Sequence, residues 1–280
     1  MVEAALRPAG PYSLKLTART PIWRSRLPGG RWAEACQGYD GTVLVHASCE
    51  QAVEEARFVL ALDDDTGEFH RRFARDPLLG RSVRTLRGLR PRRRATVTHA
   101  TLRAMCGQLI QAGRALEIER QVIRAVGEDP PSRESLARLS PAALTRCGLA
   151  ASRAATLTRL ARGIDLEGLR SSPTTALARL GRERGVGPWS VGVVALQGLG
   201  RYDAGLVSDL ALVKVFASLR GRWPDRADET AELLEPYGEW QGLASVFLLA
   251  GFTRGLVPGA SADRARLVRG GASRLTPTSA

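Results

Sequence analysis

The sequence predicts a mostly α-helical chain, α+β overall, with a small N-terminal α/β lobe ahead of a larger helical region. Three observations lead there. Up to about residue 62, short stretches alternate apolar and polar residues between Gly, Pro and Asp, as half-buried strands do. From Arg94 on, apolar residues recur at helical spacing between short turns. The charge divides in the same place: residues 1–80 hold 10 Lys/Arg against 11 Asp/Glu, a net of −1, and residues 81–280 hold 31 against 17, a net of +14. With 280 residues and 44% hydrophobic content the chain can bury a substantial core. The divisions predicted are an N-terminal lobe over 1–80, a helical core over 81–258, and a basic, disordered tail over 259–280.

The elements follow in order. "YSLKLTA" reads as a strand by its alternation, and "GTVLVHAS" as a second with a Gly start. "GEFHRRFARDPLLGRSVRTLRGLR" reads as a junction with short helices. "TVTHATLRAMCGQLIQAGRALEIERQVIRAVG" has helical periodicity and ends at Gly127. "SRESLARL" starts after a Pro-Pro-Ser cap, and "SPAALTRCGL" has Ser140 as N-cap with Pro141 in the first turn. The helices "ASRAATLTRLARGI", "TTALARLGRERG", "PWSVGVVALQGLG", "SDLALVKVFASL", "DETAELLEPYG" and "WQGLASVFLLAGF" complete the region.

Composition excludes several classes. No apolar run reaches the roughly 18–20 residues of a membrane span, and the N-terminus lacks the basic start and apolar stretch of a signal peptide. Cys36, Cys49, Cys106 and Cys147 form neither a CxxC pair nor a zinc pattern, which predicts reduced, mostly buried thiols and a cytoplasmic location. The net charge of +13 makes nucleic acid a candidate partner, although a solvated basic surface has the same composition.

Two features carry chemistry. In "RGVGPWS", Gly185 and Gly187 flank Val186, and Pro188 suits the first turn of the next helix. The outward N–H groups of such a turn form an anion site, suited to a phosphate, although an ordinary helix–helix turn has the same glycines. About twenty residues later Asp209 stands in an apolar run, where it can cap the helix that follows.

"GVGPWSVGVVALQGLG…SDLALVKVF", together with "MCGQLIQAGRALEIERQVI" and "SPAALTRCGLAASRAATLTRLARGI", resembles the helix-hairpin-helix DNA glycosylase superfamily, and within it the 3-methyladenine DNA glycosylase II (AlkA-like) family. The resemblance covers roughly residues 95–252 and implies a two-lobe helical glycosylase core. It implies a monofunctional glycosylase of base excision repair that flips out alkylated purines and hydrolyses the N-glycosidic bond. Asp209 matches the family's catalytic aspartate, which stabilises the oxocarbenium character of the sugar. Leu109 matches the intercalating wedge, with Gln108 beside it, although a leucine there also suits a helix core. Trp189 and Trp240 are pocket candidates for a cationic base. Gly185, Gly187 and Trp189 would bind phosphate through backbone N–H groups. The run "RSVRTLRGLRPRRR", ending in Arg92, Arg93 and Arg94, reads either as a backbone grip or as a solvated linker. The strand-cutting lysine of bifunctional relatives is replaced by Trp189, and no cysteine after Cys147 could ligate an iron–sulfur cluster. Val193, Gln241 and Leu243 stand where the family often has aromatic or basic groups, which implies a less aromatic pocket. The resemblance implies no cofactor beyond an alkali ion on hairpin carbonyls, a monomer, and double-stranded DNA with a damaged base as partner. The alternatives are a non-catalytic helix-hairpin-helix DNA-binding protein and a glycosylase for oxidised or deaminated bases.

Overall fold

The computed structural model describes residues 1–108 and 110–272. It is built from two hydrophobic cores, one under a sheet and one among helices. Strands β1 (Val2–Leu6), β2 (Ile22–Arg26), β3 (Trp32–Gln37) and β4 (Val43–Ala47) form an antiparallel sheet in the order β1-β4-β3-β2. Its inner face carries Trp23, Ala33, Ala35, Val43 and Val45. Helix α1 (Leu14–Ala18) and helix α2 (Glu50–Val59) supply the rest of this core, α2 through Ala52, Val53, Ala56 and Val59 at helical spacing. Strand β4 agrees with the strand expected over "GTVLVHAS". The strand expected over "YSLKLTA" is instead α1: Ser13 accepts from the Leu16 N–H, and Leu14, Thr17 and Ala18 face inward at i, i+3, i+4. Over so few residues alternation and helical spacing overlap, and the N-cap settles the choice.

Helices α3 (Gly67–Phe73) and α4 (Gly80–Thr85) send Phe69, Phe73, Leu79 and Val83 into the second core. The seam between the cores therefore lies between Leu62 and Phe69, ahead of residue 80. The second core continues through α5 (Val97–Gly107), α6 (Ala112–Val126), α7 (Arg133–Arg138), α8 (Pro141–Arg146), α9 (Ala151–Gly163), α10 (Pro173–Gly181), α11 (Pro188–Val194), α12 (Leu210–Arg220) and α13 (Gln241–Phe252). Ser132 and Ser140 cap α7 and α8, and Gly127 ends α6 in the left-handed region, as the sequence predicts.

Helix α14 (Ala262–Ala272) corrects the expected disorder over half of the tail: Ser261 caps it, its backbone carbonyl accepts from Ser218 of α12, and Ala265 is buried. Residues 273–280 lie outside the described residues. All four cysteines are free, but only Cys106 and Cys147 are buried, so the expectation of mostly buried thiols holds for half of them. Cys36 sits on the outer face of β3, opposite Leu44. Among the described residues no helix is long and apolar enough to cross a membrane.

The basic run at the seam divides: Arg81, Arg84, Arg87 and Arg92 are exposed, whereas Arg90, Arg93 and Arg94 turn inward. Arg90 is 1% exposed and donates to the carbonyls of Ala9, Ala61 and Pro11. Arg93 is buried against Asp64 and also donates to Gly200 O at 3.3 Å. Arg94 pairs at 2.9 Å with Glu119, whose side chain is 2% exposed. Arg93 and Arg94 thus join the two lobes and brace α6, which corrects their assignment as phosphate contacts. A guanidinium that has lost its water finds its partners inside the protein. Arg92 alone of the three is exposed, over a shallow depression lined by Thr20, Trp23 and Arg24.

Candidate active site

The glycine turn joins α10 to α11. Gly185 adopts φ +85°, and a Cβ there would collide with the Thr156 hydroxyl beneath it. Gly187 is the N-cap of α11, and a Cβ there would meet nothing within 4 Å. The turn thus rests on α9 on one side and is open on the other. Two of its carbonyls are already engaged: Arg184 O by Arg159 and Thr156, and Gly185 O by the Gln108 amide at 3.0 Å. Gln108 also donates to Ser190 Oγ at 2.8 Å. The loop after α5 is therefore pinned to the hairpin, although the two are 77 residues apart. Leu109, the wedge candidate, lies outside the described residues. An alkali ion at this turn would have to use its remaining carbonyls; among the described residues no His, Cys, Asp and Glu cluster could hold a metal.

Asp209 caps α12. Its Oδ1 accepts from the Ala211 N–H at 2.8 Å, and its Oδ2 accepts from the Trp189 indole N–H at 2.9 Å. Trp189 in turn lies over the Cα of Gly107, at the end of α5, where a Cβ would come within 2.5 Å of the ring. Hairpin, indole, carboxylate and the Gln108 loop thus form one connected constellation. Among the described residues Asp209 makes no ion pair, whereas Glu119 is ringed by His99, Arg94 and Arg103. Burial would raise the Glu119 carboxyl, but those three neighbours hold it below the usual range.

The return from α11 to Asp209 depends on two glycines in contact. A Cβ on Gly192 would strike the carbonyl of Gly205, and one on Gly205 would strike Leu234. That close approach brings the chain back beside α11 and sets Asp209 under Trp189.

Trp240 stands apart from this group. It stacks on Tyr202 with centroids 5.9 Å apart and tilts against Phe69 at 5.8 Å. Tyr202 donates its hydroxyl to Asp64, and burial together with that carboxylate raises its pKa, so the phenol stays protonated. Val193 is buried in the core, and Tyr202, from the loop before Asp209, supplies an aromatic that reading by helical position misses.

No protein-family profile matches the chain. The DNA-3-methyladenine glycosylase of Bacillus subtilis (strain 168) is 27% identical over 205 residues, 67% of each chain. The 3-methyladenine DNA-glycosylase from Archaeoglobus fulgidus superposes with a TM-score of 0.74 at 18% identity, covering 90% of this chain and 98% of that one. The Clostridium acetobutylicum 8-oxoguanine glycosylase/lyase, in complex with double-stranded DNA containing cytosine opposite 8-oxoG, gives 0.65 at 21% identity over 85% and 90%. With its glycine hairpin and the aspartate at the head of α12, the chain has the fold of these helix-hairpin-helix DNA glycosylases and is similar in sequence to one of the 3-methyladenine type.

Proposed function

We propose that this protein is a monofunctional, AlkA-like DNA glycosylase that flips out alkylated purines of the 3-methyladenine and 7-methylguanine type and hydrolyses their N-glycosidic bond, leaving an abasic site. The observation that carries the reading is the carboxylate of Asp209. Two neutral N–H donors hold it beside the hairpin without cancelling its charge. As the base departs the sugar becomes cationic, and a fixed anion stabilises that state. The same carboxylate can orient the attacking water. A cationic base is already a good leaving group, and the indole face of Trp189 suits it. Trp240, stacked on Tyr202 and against Phe69, is the second aromatic offered to the base, although it stands apart from Trp189.

Grip comes from the N–H groups of Gly185, Gly187 and Trp189 on one phosphate, and from Arg92 further along the strand. Leu109, with Gln108 released from the hairpin, fills the gap left by the flipped base. Strand cleavage by a Schiff base needs an amine at the sugar. Neither lysine is well placed to supply one, since Lys15 lies on α1 in the N-terminal lobe and Lys214 lies five residues beyond Asp209 on α12. The reaction needs no cofactor, and we place the enzyme in the cytoplasm, as a monomer on damaged duplex.

The test is base release from a duplex containing 3-methyladenine and 7-methylguanine, wild type beside Asp209→Asn. Release by the wild type that vanishes in the variant, with DNA binding kept, is the expected result. Release by both refutes the role of Asp209. Release only from oxidised or deaminated lesions moves the substrate class, and tight binding without release from any lesion makes the protein a binding module.

A further inference from the structure

We propose that Thr230 is a positioning residue for Asp209, acting with Ser245 as a pair of buried hydroxyls that clamp the backbone of the loop carrying it. The proposal rests on Asp209 being the catalytic carboxylate. Ser208, immediately before it, holds φ +71°, a region that residues with a Cβ seldom adopt without outside support. Its backbone N–H donates to Thr230 Oγ1 at 2.8 Å. Thr230 is fully buried in the 3-10 segment Ala227–Leu233, beyond the far end of α12. Two residues upstream of Ser208, the Leu206 N–H donates to Ser245 Oγ at 3.0 Å, and Ser245 is fully buried on α13. The Asp209 N–H then closes a turn onto Leu206 O at 3.0 Å. The left-handed residue directs the chain into α12 with its N-cap carboxylate turned to Trp189. If the Thr230 hydroxyl is lost, a part-buried N–H loses its partner and Ser208 is free to relax toward an ordinary φ, which swings the carboxylate away from the indole.

The experiment uses the full chain, labelled with ¹⁵N, and reads the Trp189 indole N–H resonance, assigned by its loss in Trp189→Phe. Thr230→Val should move that resonance toward its position in Asp209→Ala. It should also lower single-turnover base release by about 10²-fold, the scale of a misplacement near 1 Å, with the Kd for duplex unchanged. Thr230→Ser should restore both, and Ser208→Gly, which accepts the left-handed φ, should leave both as in the wild type. A folded Thr230→Val protein with the wild-type resonance and rate overturns the proposal. Should Thr230→Val fail to fold, Ser208→Val decides, because a β-branched residue at that φ must displace the same loop; a wild-type resonance and rate there overturn it equally. If the wild type releases no base, the resonance still reports the clamp, so failure of the functional reading and failure of the clamp remain distinct.

Discussion

Replacing Gly107 with Ala should damage stability, activity, or both, and the structure says how they trade. Gly107 is the last residue of α5, and intrinsic propensity alone favours Ala there by up to about 1 kcal/mol. The added Cβ, however, would lie 2.5 Å from Cη2 of Trp189 and 3.4 Å from two more ring carbons. Ordinary carbon contact begins near 3.5 Å, so the ring tip must recede by about 1 Å. If the indole holds its place on Asp209, α5 must move, and overpacking of this kind costs about 1–3 kcal/mol. If the indole yields, its 2.9 Å bond to Asp209 is stretched toward the limit of a hydrogen bond. A hydrogen bond to a charged group contributes about 1.5–3 kcal/mol, which is roughly ten- to a hundredfold in rate. Urea unfolding and single-turnover base release, measured on the same preparation, separate the two routes. A Gly107→Ala protein with wild-type stability and rate would refute the contact and the part it is given in holding Trp189.

Three further outcomes are expected. Arg92→Ala should weaken binding to undamaged duplex and reduce the slope of log K against log salt by about 1, leaving stability unchanged. Arg93→Ala should instead destabilise the fold by about 1–3 kcal/mol, because it leaves the half-buried Asp64 carboxylate with the Tyr202 hydroxyl but without its paired cation; salt titration and urea unfolding check the pair. His70 is buried beside Phe69 and Phe247, and burial, with Arg87 and Arg90 nearby, pushes its pKa down to about 4. The unfolded chain therefore binds a proton that the folded one refuses. Stability should fall as pH drops below 6.5 and stop falling from this source below about 4, for a total of about 3 kcal/mol. His70→Gln should flatten that part of the urea-midpoint profile against pH, and a slope unchanged in His70→Gln would rule this source out.

The parts of the site legible in the sequence are the local ones. The glycine turn, Pro188 at the start of α11 and Asp209 as an N-cap each declare themselves within a few residues. The capping serines of α7 and α8 do so as well. Short apolar stretches are less informative. Alternation over seven residues suggests a strand where Ser13 starts a helix, and β1, β2 and β3 escape notice because strands of five or six residues carry little pattern. Periodicity suggests one continuous helix where the chain breaks at Gln108 between α5 and α6. Contacts made at long range are invisible. Thr230 and Ser245 look like any hydroxyl residues in a helix until the loop they hold is seen beside them. The arginine run misleads for a related reason. Seven arginines in fourteen residues read as one surface grip, and nothing local to residues 81–94 announces that Asp64 and Glu119 wait inside for Arg93 and Arg94.

That contrast explains how a chain with 41 Lys/Arg keeps a usable carboxylate. In the proposed reaction an arginine beside Asp209 would fix it firmly and spoil it, because the guanidinium would repel the positive sugar that the carboxylate is proposed to attract. Orientation is supplied instead by groups that carry no net charge: the first-turn N–H of Ala211 and the indole N–H of Trp189. The nearby acid that does sit among arginines, Glu119, serves a different purpose, since it braces α6 against α5 at the base of the Gln108 loop. The separation of 20 positions between Trp189 and Asp209 follows from the same requirement. The chain must run along α11, turn, and return close enough for Gly205 to touch Gly192 before the carboxylate can reach the indole. A side chain at either glycine would hold Asp209 away from the indole, the neutral donor that comes from outside its own helix.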